Sequence, residues 1–321
     1  SSARRMRIIV PLSMPSTLDF FQRSTTTKRL LSVSGTHRLR QALERTPLLP
    51  PIVHAPRGAV PVVLSVPHSG RDYPQWLLAN AVRGRAGLES LEDPLVDRLA
   101  WRAVAAGVGA IIARAPRAAI DCNRGADEMD PAVIAYAGGE PVGARARGGL
   151  GIVPSRTAPH GRLWRRRIDQ AELERRVAEA YRPFHDALTD ALDALVERHG
   201  AALLIDCHSM PSRRGQAEIV LGDRHGASAA AWLTAEAGRI AEAQGWRVAF
   251  NHPYAGGHVV ERHGRPERGL HAIQVEIDRA CYLAADQRSP GPGFDRAARL
   301  IEQLAFGLGQ ALLSPDAIAA E

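Results

Sequence analysis

Asp206 and His208 stand two residues apart at the end of an apolar run, Ala202-Leu203-Leu204-Ile205, and Pro211 closes the segment. Side chains alternate along an extended chain, so Asp206 and His208 share one face and Cys207 takes the other. An acid and an imidazole leaving a buried strand together suit a metal ligand with an orienting neighbour; a capped, hydrogen-bonded loop histidine is the other reading. Three more polar clusters follow apolar runs: His68 after 60–66, Asp121-Cys122-Asn123-Arg124 after Ala118-Ala119-Ile120, and Asn251-His252 after 246–250. Parallel strands would deliver all four to one sheet edge, where open α/β sheets bind ligands. Two histidines and a carboxylate make the ligand set of a catalytic zinc, with a fourth position for water. The metal would lower the pKa of that water to about 7 and polarise a carbonyl.

The elements that must position these groups are legible from periodicity. Strands are expected at 60–66, 110–113, 202–206, 216–221, 246–250 and 271–278. In the last of these, alternation puts Gln274, Glu276 and Asp278 on one face. Helices are expected at 95–106, at 169–199 with a kink at Pro183 and Gly200 at its end, at 227–244 and at 294–313. Asp93-Pro94 is a helix start in its own right, with Asp93 as N-cap, so a metal role for Asp93 needs separate support. Residues 125–160 are Gly/Pro-rich and irregular, as expected of a long loop over a site. Strands and helices alternate without an internal repeat, which predicts an α/β fold with a mainly parallel or mixed sheet and helices on both faces.

Bulk properties exclude several function classes. The net charge of +7 is concentrated in residues 1–57, which hold ten Lys/Arg and two Asp/Glu. The remainder is close to neutral, which argues against a nucleic-acid partner. No apolar run reaches membrane-span length. Lys28 is the only lysine, so the body has no P-loop lysine, Schiff-base lysine or Ser-Lys dyad. Cys122, Cys207 and Cys281 are too widely spaced for a disulfide framework or a zinc ribbon, which fits a reducing, cytoplasmic compartment. Cys122 and Cys207 are read as core residues. His258-Val259-Val260-Glu261 has the His-x-x-Glu spacing of some zinc peptidases but comes late in the chain. Residues 1–57 are read as a basic leader or an overextended start, 58–313 as a single α/β hydrolase domain and 314–321 as a tail.

Five motifs occur in order: Val66-Pro67-His68-Ser69-Gly70-Arg71, Asp121-Cys122-Asn123-Arg124, Asp206-Cys207-His208-Ser209-Met210-Pro211, Asn251-x-Pro253-Tyr254-x-Gly256-Gly257 and Gln274-Val275-Glu276-Ile277-Asp278-Arg279. Together they resemble the N-formylglutamate amidohydrolase family over residues 58–313. The resemblance implies a zinc-exopeptidase-like fold. It also implies zinc-assisted hydrolysis of N-formyl-L-glutamate to formate and glutamate, as in histidine degradation. By resemblance His68 and His208 match metal ligands of a single Zn2+ per chain, with Asp93 preferred over Asp72 as the third. Glu276 matches the general base. Asn123 and Arg124 resemble the pair with which carboxypeptidases hold a substrate carboxylate, and Arg71 or Arg262 would serve the second carboxylate. Bidentate guanidinium–carboxylate pairing is what a dianionic N-acyl amino acid requires. A zinc hydrolase of another N-acyl amino acid or of a peptide is the alternative.

Overall fold

The computed structural model describes residues 45–135 and 143–314. Seven strands form one sheet: β1 (Ile52–His54), β2 (Val62–Val66), β3 (Gly109–Ile112), β4 (Ala202–Met210), β5 (Ile219–Gly222), β6 (Val248–Phe250) and β7 (Leu270–Asp278). Their spatial order is β1-β3-β2-β4-β7-β5-β6. β3, β2, β4 and β7 run parallel, while β1 lies antiparallel on β3, and β5, itself parallel to β6, lies antiparallel on β7. The sheet is therefore mixed.

Helices cover both faces, because the central strands are apolar on both sides. Val62, Leu64, Leu203, Ile205 and Cys207 face α1 (Val96–Leu99), α2 (Trp101–Ala105), α4 (Ala231–Ala243) and α6 (Phe294–Leu312) in one core. On the opposite face Val63, Ala202, Leu204, Leu270 and Ala272 pack with Phe184, Leu188, Leu192 and Leu195 of α3 (Arg182–His199) and Val259 and Val260 of α5 (His258–His263). Each Val, Leu, Ile or Phe among them, fully buried, contributes about 1.5–3 kcal/mol.

On the α3/α5 face three neighbouring strands change character part-way along. Val63 is followed by Ser65, Leu204 by Asp206 and His208, and Ala272 by Gln274 and Glu276. The register sets Ser65 and Gln274 on either side of Asp206, and Glu276 beside His208. The apolar half of this face holds the helices, and the polar half is left at the carboxyl ends of the strands.

Five expectations are modified. The sheet-bearing unit begins at Thr46, before the expected start at 58, because β1 pairs with β3 and Leu48 is buried. The rest of the basic leader, 1–44, and the tail residues 315–321 lie outside the described residues. Residues 117–119 are a turn, with Ala119 N–H donating to Pro116 C=O at 2.8 Å, and Ile120 is in no strand, so Asp121 does not leave one. The helix expected over 95–106 is split into α1 and α2, and Leu95 (φ 61°), not Asp93, occupies the residue before α1. Finally, β6 points away from the carboxyl end of β7, so Asn251 leaves it elsewhere; it accepts from Asp223 N–H and donates to the Asp223 carboxylate, while His252 is exposed. The expected helix over 169–199 is a helix, a π-turn (Val177–Tyr181) and α3, with Pro183 in the first turn of α3.

Candidate active site

The loop after β2 carries His68, the loop before α1 carries Asp93, and β4 carries His208. Asp93 N–H donates to His68 C=O at 3.0 Å, which ties the first loop to the second. One carboxylate oxygen, Asp93 Oδ2, lies 3.3 Å from His68 Nδ1 and 3.0 Å from His208 Nδ1. All three residues are buried, and their donor atoms lie within 4.8 Å of one another. Zinc bonds of about 2.0–2.1 Å at a tetrahedral angle set ligand atoms about 3.3 Å apart, so this donor set fits such an ion.

The outer ring nitrogens are anchored. His68 Nε2–H donates to Asp121 Oδ1 at 2.7 Å, and His208 Nε2–H donates to Asp206 Oδ2 at 2.8 Å. Carboxylates only accept, so each ring keeps a proton on its outer Nε2 and turns Nδ1 inward, the atom that would bind a metal. The carboxylates are themselves held: Ser65 Oγ donates to Asp206 Oδ1 at 2.7 Å, and Arg117 Nε donates to Asp121 Oδ2 at 2.8 Å. Arg279 Nη2 donates to Asp93 Oδ1 at 3.1 Å and to Glu92 C=O at 2.6 Å. Asp93 therefore presents one oxygen inward and has the other occupied.

The electrostatics follow from this packing. Burial opposes charge on Asp93, but hydrogen bonds from His208 and His68 outweigh it and hold the carboxyl well below its usual range. Burial likewise opposes charge on Asp121, and the charges of Arg117, His68 and Arg124 overcome it, so Asp121 also stays ionised. For His208, burial is outweighed by the Asp206 charge and the bonds to Asp206 and Asp93, and its pKa is lifted well above the ordinary histidine value. Glu276 is pushed up to about 7 by burial, against the lowering charge of His208 and with the help of Asp93 and Asp206. Its Oε1 accepts from Gln274 Nε2 at 3.0 Å, and Gln274 Oε1 accepts from Gly257 N–H at 2.8 Å.

Asn123 reaches the same centre: its Nδ2 lies 3.1 Å from His208 Nε2 and its Oδ1 accepts from Val259 N–H at 2.8 Å. Gly257 permits this approach, since a Cβ there would lie 2.3 Å from the Asn123 amide. Arg124 is buried beside it and donates to Leu150 C=O at 2.8 Å and to Asn123 C=O at 2.6 Å.

The remaining expected residues are placed differently. Asp72 is half-exposed and accepts from Arg114 at 3.0 Å, away from the histidines. The Nη1/Nη2 edge of Arg71 is closed by both Asp97 oxygens at 3.1 and 2.6 Å. Arg262 is exposed on α5. His258 bonds to the Tyr181 hydroxyl at 2.9 Å and is 3.9 Å from Glu261, so the His-x-x-Glu pair is no part of the centre. The thiols of Cys122 and Cys207 are buried in apolar cores, and burial pushes both pKa values up. Sequence reasoning did not assign Asp121, Arg117, Ser65, Gln274 or Arg279. Asp121 and Arg279 stand inside recognised motifs, which was a signal; Arg117 sits in an unremarked turn and gave none.

Fold and site together define an α/β protein with a buried His–Asp–His set suited to a divalent metal and a glutamate alongside. The family model described as N-formylglutamate amidohydrolase matches residues 60–283, and the chain belongs to that family of linear-amide hydrolases. It is 28% identical over 243 residues to an N-formylglutamate deformylase of Pseudomonas aeruginosa, covering 73% of this chain and 85% of the relative. It is 30% identical over 238 residues to an N-formylglutamate deformylase of Pseudomonas putida, covering 71% and 83%. The crystal structure of N-formylglutamate amidohydrolase from Ralstonia eutropha is similar with a TM-score of 0.75 and 32% identity, covering 82% of this chain and 98% of that one.

Proposed function

We propose that this protein hydrolyses N-formyl-L-glutamate to formate and L-glutamate, using one zinc ion per chain held by His68, Asp93 and His208. The observation that carries the reading is the convergence of two inward Nδ1 atoms on one Asp93 oxygen, with Glu276 in register beside His208. Zinc supplies carbonyl polarisation and a more acidic water. Glu276 removes a proton from water as its oxygen adds to the formyl carbon. The same carboxyl then returns the proton to nitrogen as the C–N bond breaks. A base with a pKa near the working pH suits both transfers. Asn123 and Arg124 hold one substrate carboxylate, and Arg262 serves the other, Arg71 being closed by Asp97. We place the reaction in cytoplasmic histidine degradation. Among the described residues no helix is long and apolar enough to cross a membrane.

The test is a panel of N-acyl amino acids and peptides against zinc-loaded protein. N-formylglutamate is expected to be the preferred substrate, and chelation is expected to abolish turnover reversibly. Preference for another acyl amino acid or a peptide would overturn the substrate assignment. Protein that is metal-free as purified and indifferent to chelator and to added zinc would overturn the metal assignment.

A further inference from the structure

The turn 121–124 lies outside the sheet, and among the described residues no strand pairs with it. Three consecutive carbonyls in it are nonetheless each held by a side chain. Cys122 C=O accepts from His185 Nε2–H at 3.0 Å, Asn123 C=O accepts from Arg124 Nη1 at 2.6 Å, and Arg124 C=O accepts from the Tyr181 hydroxyl at 3.0 Å. Two of these holders come from one helical run. Tyr181 ends the π-turn, and His185 follows four residues later in the first turns of α3. Residues four apart share a helix face, so the two side chains grip carbonyls two residues apart.

Tyr181 and His185 are each backed from α5. His263 Nε2 bonds to His185 Nδ1 at 3.0 Å, and His258 Nε2 bonds to the Tyr181 oxygen at 2.9 Å. The directions are forced by the inventory of donors. A carbonyl only accepts, so His185 carries its proton on Nε2 and accepts at Nδ1 from His263. The single Tyr181 proton goes to Arg124, so its oxygen accepts from His258. α5 also touches the turn directly, through Val259 N–H and the Asn123 side chain. Burial, then the charges of neighbouring rings and Arg262, takes His185 down to about 2, and burial with Arg262 takes His263 down to about 3. Both rings are therefore neutral, each in one tautomer, across the neutral pH range.

We propose that Tyr181 and His185 are positioning residues for substrate binding: they orient Asn123 and Arg124, and so the grip on a substrate carboxylate, without touching the substrate. This rests on the reading of Arg124 as the carboxylate holder. A residue that presents a guanidinium from a turn, with no ladder to stiffen it, depends on whatever stiffens the turn.

The experiment is steady-state kinetics on zinc-loaded protein with N-formylglutamate, with bound metal measured for every variant. Tyr181→Phe and His185→Leu are expected to raise KM by about ten- to a hundredfold, as buried hydrogen bonds to the turn are lost, with kcat and metal content within about twofold. His185→Gln, whose amide still donates to the Cys122 carbonyl, is expected to stay within about threefold of the wild-type KM. In an Arg124→Ala background, Tyr181→Phe is expected to add less than about twofold, because no guanidinium is left to orient.

Folded Tyr181→Phe with wild-type KM overturns the proposal. So does a Tyr181→Phe defect that persists undiminished beside Arg124→Ala, which would make the hydroxyl structural only. Should His185→Leu fail to fold, Tyr181→Phe, which removes one oxygen, decides. Arg124→Ala with unchanged KM instead fails the carboxylate-holder reading.

Discussion

Two pairs of buried histidines face opposite electrostatic surroundings in this molecule. His68 and His208 lie among Asp93, Asp121 and Asp206, while His185 and His263 lie against the Cys122 carbonyl, each other and the charge of Arg262. Burial alone disfavours the imidazolium in both places. Carboxylates reverse that for His208, whose pKa rises, and nothing reverses it for His185 and His263, whose values fall. The outer nitrogens of the first pair are anchored by acids, which leaves both Nδ1 atoms converging on Asp93 Oδ2. In the second pair the Nδ1 of His185 is filled by the N–H of His263, so that ring has no lone pair left for a metal. Residue type and burial are shared; the partners decide whether a histidine pair is a ligand set or a structural clamp.

The strongest way to break this comparison is to remove one ring from each pair. His208→Ala is expected to eliminate bound zinc and to lower turnover by at least about a thousandfold, since the ion accounts for several kcal/mol of transition-state stabilisation. His263→Ala is expected to keep zinc. Elemental analysis of both proteins checks this, and equal metal content in the two would end the distinction. Next in size, Glu276→Gln is expected to lose about 10²–10⁴ in kcat while keeping metal and most substrate affinity. Normal turnover in that variant would remove Glu276 from the chemistry and leave the metal set standing.

The smallest effect sharpens the comparison through pH, in metal-free protein. Glu276 and His208 have folded pKa values above their ordinary ones, so the folded state binds more protons and stability falls as pH rises. For Glu276 the fall spans its ordinary value to about 7, and His208 extends it above the ordinary histidine value. His185 and His263 have depressed values, so the folded state binds fewer protons and stability falls as pH drops below the ordinary histidine value. Glu276→Gln should therefore flatten the rising-pH side of a Tm–pH curve, and His263→Gln the acid side, each by about several degrees. Calorimetry showing both variants acting on the same side would contradict the assigned surroundings.

Much of the site was legible before any fold was known, for local reasons. The apolar run into Asp206 and His208, and the alternation through Gln274 and Glu276, are properties of a few consecutive residues. Strand geometry translates them directly into faces. The same holds for the alternating strand and helix pattern that predicts a sheet covered on both sides.

Other features were decided only by the tertiary structure. Asp93 before Pro94 is locally indistinguishable from a helix cap. It becomes a candidate ligand because Leu95 turns the chain at φ 61° and carries the helix start past it. Arg71 looks like a free guanidinium until α1 brings Asp97 against it. The reversal of β5 leaves no mark on its apolar pattern, because a strand paired on both sides buries the same side chains whether parallel or antiparallel. His185, 63 residues from Cys122, and Tyr181, 57 residues from Arg124, have no local reason to hold that turn. The sequence by itself determined the apolar periodicity of the central strands, the faces their residues take and which side chains were candidates for chemistry, because period and side-chain type act over a few residues. Which acid meets which histidine, and which ring stays neutral, was settled by packing between distant segments, because a charge responds to whatever lies within a few ångströms of it and not to its neighbours along the chain.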